Sequence, residues 1–235
     1  MRARKFEGGK EPVLALCEGE HDRELLTELL NRRGIGGIEV WSNETISGHG
    51  GNGAFGHALD ALAGGAIGKV RAIVIVTDCD SDPGRAFAAI QEQIRGATIF
   101  EGPPARSYPV PNRPYEYAEG NPAIAVILIP GTDRSGALET LCLDAARQAA
   151  PTLADCVDAF AVCAGVPSWQ SENRRDKMRF RSLIAAGYEA NPEISPTRFW
   201  SEGPGHTIVP LDHAGFDRIS DFLCELSQHF AASSP

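Results

Sequence analysis

Three short apolar runs constrain this 235-residue chain more than any other feature: residues 13–17 (VLALC), 70–77 (VRAIVIVT) and 123–129 (AIAVILI). They do not alternate apolar with polar residues, and the second is rich in β-branched side chains, so each reads as a strand covered on both faces. Such strands belong to parallel sheets, whose crossovers must be long enough to hold a helix. The intervals supply those helices. Leu25, Leu26, Leu29 and Leu30 line one face of a helix that ends near Gly34. Phe87, Ile90 and Ile94 stripe another, which Asp82 caps and Pro83 opens. Ser135 is expected to cap a helix carrying Leu138, Leu141 and Cys142. Residues 38–41 read as a weak strand, 57–62, 153–163 and 174–186 as helices, and 208–211 as a short strand. Phe216, Ile219, Leu223, Leu226 and Phe230 mark a C-terminal amphipathic helix. The expected fold is α/β: a mainly parallel sheet flanked by helices over residues 11–150. A mostly helical C-terminal extension, 151–235, is expected to pack on it as part of one globular unit.

Charge narrows the function. Asp and Glu number 31 against 22 Lys and Arg, a formal net charge of −9. A chain this acidic does not coat nucleic acid by bulk attraction and needs a local basic patch, a metal or a partner to hold phosphates. The glycines show no three-residue period, and the 6 cysteines are too few for a disulfide scaffold. No apolar run reaches the length of a membrane span, and the basic N-terminus lacks the apolar stretch of a secretory signal. No CxxC occurs and most cysteines sit in apolar runs, so reduced, buried thiols in a cytoplasmic protein are expected.

In parallel sheets, ligands bind outside the carboxyl ends of the strands. There the first run gives Glu18 and the second Asp78 and Asp80, while Glu139 opens the helix after the third. Alternation along an extended segment would turn Asp78 and Asp80 to the same side and Cys79 to the other. Gly19 permits a tight turn after Glu18, and Asp22 follows one helical turn later. If the strands are neighbours, up to five carboxylates converge, a cluster that repels itself unless protonated or bound to cations. Oxygen donors alone suit Mg²⁺ or Mn²⁺. Blander roles compete: Asp82 is a cap, Asp22 and Glu139 each suit a helix dipole, and Glu20 and His21 read as solvent-exposed.

These residues resemble a known family. Residues 16–22 (LCEGEHD) look like the glutamate motif of a Toprim (topoisomerase–primase) domain, and residues 75–80 (IVTDCD) look like its D-x-D motif. Pro130 through residues 136–139 (GALE) is similar to small Toprim-like proteins related to the OLD-family nucleases. The resemblance covers roughly residues 11–145 and, more weakly, the helix around Lys177. It implies a Toprim-like fold and Mg²⁺- or Mn²⁺-dependent cleavage of DNA or RNA. In that case Glu18, Asp78 and Asp80 would hold metal, and Asp22 and Glu139 would complete a second site. Lys177 would serve the transition-state charge. OLD-type nucleases commonly work with an ATPase module, so a separate ATPase partner is also implied. One departure is Asp82, which extends D-x-D to D-x-D-x-D, whereas Pro83 directly after it favours capping.

The densest positive stretch, residues 171–181 (SENRRDKMRFR), offers Arg174, Arg175, Lys177, Arg179 and Arg181 either to phosphates or to solvent as an ion-paired helix face. Residues 102–122 hold six of the 16 prolines and three of the 4 tyrosines, which marks a long loop. Its Arg106 and Arg113, interleaved with Tyr108, Tyr115 and Tyr117, suit either base stacking with phosphate contact or packing over the sheet. Two further readings compete. Gly48, Gly50 and Gly53 spell G-x-G-x-x-G before a helix, the outline of a dinucleotide enzyme, although residues 41–45 (WSNET) are too polar for the central strand it requires. A non-catalytic Toprim-like module that binds metal or nucleotide for regulation is the other. The chain has no P-loop, no G-x-S-x-G and no zinc-type spacing.

Overall fold

The structure, a computed structural model, describes residues 10–63, 70–99 and 106–232. β1 (Val13–Cys17) is followed by α1 (Glu20–Arg33), β2 (Ile38–Ser42), α2 (Asn43–Ser47), α3 (Phe55–Ala63), β3 (Ala72–Asp78) and α4 (Pro83–Gly96). Three two-residue strands, β4 (Thr98–Ile99), β5 (Arg106–Ser107) and β6 (Tyr117–Ala118), precede β7 (Ala123–Ile129). The rest is helical: α5 (Leu138–Ala149), α6 (Pro151–Cys163), α7 (Glu172–Gly187), α8 (Phe199–Glu202), α9 (Gly205–Ile208) and α10 (Asp217–Ala232).

The main sheet has the order β2-β1-β3-β7-β6. Its first four strands are parallel, and β6 pairs antiparallel with the start of β7, at Ile124 and Ala125. The three apolar runs are its three central strands, and every residue of β1, β3 and β7 is buried. The two-residue period divides them between two cores. Val13, Ala15, Cys17, Val74, Val76, Ala125 and Ile127 meet the leucines of α1 together with α5, α7 and α10. Leu14, Leu16, Ile73, Ile75, Ile124 and Val126 meet α3 and α4 on the other face. The C-terminal helices share the first of these cores: Phe180, Phe199, Trp200 and Leu223 are buried in one cluster with the strands.

The chain leaves β1 toward β2 on one side and returns to β3 on the other. The strand order therefore reverses between β1 and β3, which opens a crevice at their carboxyl ends.

Several local expectations are corrected. α5 is capped by Ala137 rather than Ser135, because the Thr140 side chain turns back to accept from Ala137 N at 3.0 Å. Ser135 donates instead to Glu172 Oε2 at 3.3 Å. Residues 208–211 form no strand; the segment follows α9, and Val209 N closes back onto Gly205 O at 2.7 Å. Only Cys17, Cys79 and Cys142 are buried, whereas Cys156 and Cys163 are exposed on α6. Glu20 is not simply solvated: it accepts from Ser42 Oγ, from Thr45 Oγ1 at 2.6 Å and from Arg23 Nε at 2.8 Å.

Residues 102–105 of the long loop lie outside the described residues. The loop's tyrosines pack rather than project. Tyr108 is buried and donates to Leu59 O at 2.9 Å, and Tyr115 donates to Leu128 O at 2.7 Å beneath the Arg218 guanidinium. Tyr117 packs at a tilt against His229 and edge-on against Phe230. Among the described residues, no helix is long and apolar enough to cross a membrane.

Asp82 caps α4 as its sequence implies, with Oδ1 accepting from Arg85 N at 3.0 Å and Pro83 in the first turn. Asp82→Ala is expected to cost about 0.5–2 kcal/mol in urea denaturation, with no change in metal binding by titration calorimetry.

Candidate functional site

The register of the sheet places the acids. Cys17 pairs with Val76, so Glu18 emerges level with Thr77 at the mouth of the crevice. Its Oε1 accepts from Thr77 Oγ1 at 2.7 Å and from Asp78 N at 2.9 Å. Asp78, the last residue of β3, is buried, and its Oδ1 accepts from Leu138 N at 3.0 Å at the start of α5. Asp22, in the first turn of α1, folds back to accept from Gly19 N at 3.0 Å. Glu139 sits in the first turn of α5, and with Asp22 it lines a narrow cleft that Arg181, Phe180 and Trp200 also line.

These four carboxylates disturb one another. Burial, then the charges of Glu18 and Glu139, push Asp22 up to about 7. Burial, then Glu18, Asp22 and Glu139, hold the Asp78 carboxyl well above the usual carboxylate range. Burial also raises Glu18, against the hydrogen bonds from Thr77 and Asp78 that favour its charged form. Burial raises Glu139 as well, and Lys177 opposes that rise. Lys177 is the cation common to all four. Burial works against its ammonium, but Glu139, Asp78, Asp22 and Glu18 outweigh it and raise the pKa. Four chain segments, each more than 35 residues from the next in sequence, thus meet at one electrostatic centre.

Asp80 is arranged differently from the extended alternation expected for D-x-D. It takes a left-handed φ of 50°, a conformation an aspartate tolerates better than most residues, and its backbone pairs with Gly136. Its exposed carboxylate accepts from Asn52 Nδ2 at 3.1 Å and Asn173 Nδ2 at 2.6 Å. It stays near enough to raise Glu18. The two asparagines escaped sequence reading because neither lies in an acidic motif. Asn52 is delivered by the glycine loop, which Gly51 N anchors to Glu18 O at 3.2 Å. That loop follows helix α2, not a strand, so the strand–turn–helix geometry of a dinucleotide fingerprint is not formed.

The basic residues separate by role. Arg174, Lys177 and Arg181 line an open trough along α7. Arg179 is committed to Asp158 at 3.0 Å and Asp176 at 3.4 Å, and Arg175 donates to Pro167 O at 3.2 Å, so both brace the helix. Arg106 lies on β5, paired to β4, and the Arg113 guanidinium stands 3.8 Å from Glu116. Neither is among the charges that chiefly shift the carboxylates, a role that falls to Lys177 and Arg181.

Among the described residues, no three Asp, Glu, His or Cys side chains already converge as a ligand set. One oxygen each of Glu18, Asp22 and Asp78 is turned onto a protein donor. The donor chemistry nonetheless fits a hard divalent cation. The groups are all carboxylate oxygens, and their mutual repulsion is relieved by positive charge. Beside Asp80, the buried Oδ1 of Asn173 has no hydrogen-bond partner among the described residues.

A family model described as "Protein of unknown function (DUF3226)" matches residues 12–228, spanning both the sheet and the C-terminal helices. No curated protein and no solved structure matches the chain.

Proposed function

For this chain, which belongs to the DUF3226 family of proteins of unknown function, we propose divalent-metal-dependent cleavage of phosphodiester bonds in nucleic acid at a Toprim-type acidic site. The observation that carries the reading is the meeting of Glu18 and Asp78 at the strand-order reversal, Asp78 N bonded to Glu18 Oε1 at 2.9 Å. Lys177 there answers the charge of both, and of Asp22 and Glu139.

Glu18 and Asp78 would hold Mg²⁺ or Mn²⁺, with Asp22 and Glu139 beside them and Asp80 at the rim. The cation supplies an activated water and charge neutralisation at the phosphate. The protein supplies orientation. Thr77 and the Asp78 amide fix Glu18, and the Leu138 amide fixes Asp78, so both acids are positioned before substrate arrives. Lys177, kept protonated by its carboxylate neighbours, would bind a non-bridging phosphate oxygen and hold it against the charge that develops in the transition state. Arg174 and Arg181 would bind the flanking backbone. A separate ATPase partner and a cytoplasmic location belong to the same proposal, the latter supported by the buried free thiols.

The test is a cleavage assay on plasmid, single-stranded DNA and tRNA, with Mn²⁺, Mg²⁺ or EDTA. Lys177→Ala is expected to lower kcat about 10²–10³-fold with a smaller change in KM. Metal binding by calorimetry without cleavage of any substrate would replace the nuclease by a non-catalytic, metal-binding module.

A further inference from the structure

The trough along α7 has a feature that charge reading missed. Arg174, Lys177 and Arg181 recur at spacings of three and four residues and so form one stripe of the helix. Beside the stripe stands Trp169, which is 42% exposed although tryptophan is usually among the most buried residues. It follows a short 3-10 turn, Val166–Ser168. That turn is braced from several sides. Val166 is buried, and Trp169 N donates to Val166 O at 3.0 Å. Ser168 Oγ donates to Gly165 O at 2.7 Å, and Arg175 ties Pro167 O to α7 at 3.2 Å. The indole is therefore presented on a held backbone, so that stacking on it costs little ordering entropy. At its inner edge the trough meets the acidic site. Arg181 also lines the cleft of Asp22 and Glu139, and the Lys177 charge acts on all four carboxylates.

We propose that this trough binds an unpaired stretch of nucleic acid, with one base stacked on Trp169 and backbone phosphates on Arg174 and Arg181, so that the protein selects single-stranded over duplex nucleic acid. A duplex keeps its base faces stacked inside and has none to offer the indole. An unpaired base of any identity has one, so the selection is for strandedness rather than sequence. The clustered cations supply the polyanion attraction that a chain of net charge −9 otherwise lacks. The inference rests on the metal-site reading for what lies at the inner end of the trough, and on the trough alone for strand preference.

The experiment is fluorescence anisotropy of the full chain in EDTA, with a short labelled oligothymidylate and a duplex of equal length. The single strand is expected to bind about tenfold or more tightly than the duplex. Trp169→Ala should weaken single-strand binding about 5- to 150-fold and leave duplex binding unchanged. Trp169→Phe, which keeps an aromatic face at an exposed position, should retain most of the affinity. Arg174→Ala should reduce the log–log salt slope by about one unit. Equal binding of both forms, no binding of either, or a Trp169→Ala variant with unchanged single-strand affinity overturns the proposal. No metal is present and no bond is cut in this experiment. If it fails while Mn²⁺-dependent cleavage persists, only the strand preference is lost. If cleavage is absent while Trp169-dependent binding holds, only the metal-site reading is lost.

Discussion

Asp78→Asn is expected to lower Mn²⁺-dependent cleavage by at least about 10²–10³-fold while raising the melting temperature of the metal-free protein. The two effects have one cause. The Asp78 carboxylate is buried at the end of β3 among Glu18, Asp22 and Glu139. Its charge is unfavourable there without a cation, and with a cation that same charge is what binds it. Asparagine keeps the Oδ1 acceptor for Leu138 N, so the start of α5 stays anchored. Differential scanning fluorimetry with and without Mn²⁺ reads both halves. The wild type should be stabilised by the ion and the variant should not. A variant that melts lower than wild type in EDTA would show that Asp78 serves the fold rather than a cation. Asp82→Ala, four residues on, is the contrasting case: a lost cap with cleavage retained.

The second large effect is pH dependence of opposite sign with and without metal. Asp22 is raised from 3.8 to about 7 and Asp78 is raised well above the usual carboxylate range, both chiefly by burial. An acid whose pKa is raised by folding stabilises the native state fully below its unfolded value and loses that contribution as pH climbs through the folded value. The metal-free protein should therefore lose stability between about pH 4 and pH 8, on the order of 2–4 kcal/mol for Asp22. That corresponds to roughly 5–15 °C in melting temperature. Glu20 does not cancel the trend. Burial opposes its ionisation but is outweighed by the bonds from Ser42, Thr45 and Arg23, so its pKa is lowered and its contribution is already complete above pH 5. Saturating Mn²⁺ requires the ionised carboxylates, so the metal-induced rise in melting temperature should grow with pH over the same interval. A melting temperature in EDTA that increases from pH 5 to pH 8 would contradict the charge distribution described here.

How much of this was legible in the sequence depended on the range of the interactions involved. The three central strands were, because a strand covered on both faces is apolar along most of its length, as residues 13–17, 72–76 and 123–129 are. The caps that rest on adjacent residues were too: Asp82 with Pro83 opens α4, and Gly34, in the left-handed region, closes α1. Placing Glu18 and Asp78 at strand ends followed from the same runs. What the sequence left open was which strands are neighbours, since register is a property of two segments and neither carries the other's address. Only the β1–β3 pairing puts Asp78 N on Glu18 Oε1. Tertiary packing likewise decided the fate of the basic stretch. Alternating basic and acidic residues do not reveal that Arg179 is spent on Asp158 of α6 while Lys177, two residues earlier, answers four carboxylates from three other elements. It also turned Tyr108 inward against α3 and Tyr115 and Tyr117 against α10, and left Trp169 partly exposed. Local chemistry along the chain determined the elements and their ends. The meeting of distant charges at the reversal of strand order was decided only when the sheet assembled, because Coulomb and packing energies depend on distance in space rather than along the chain.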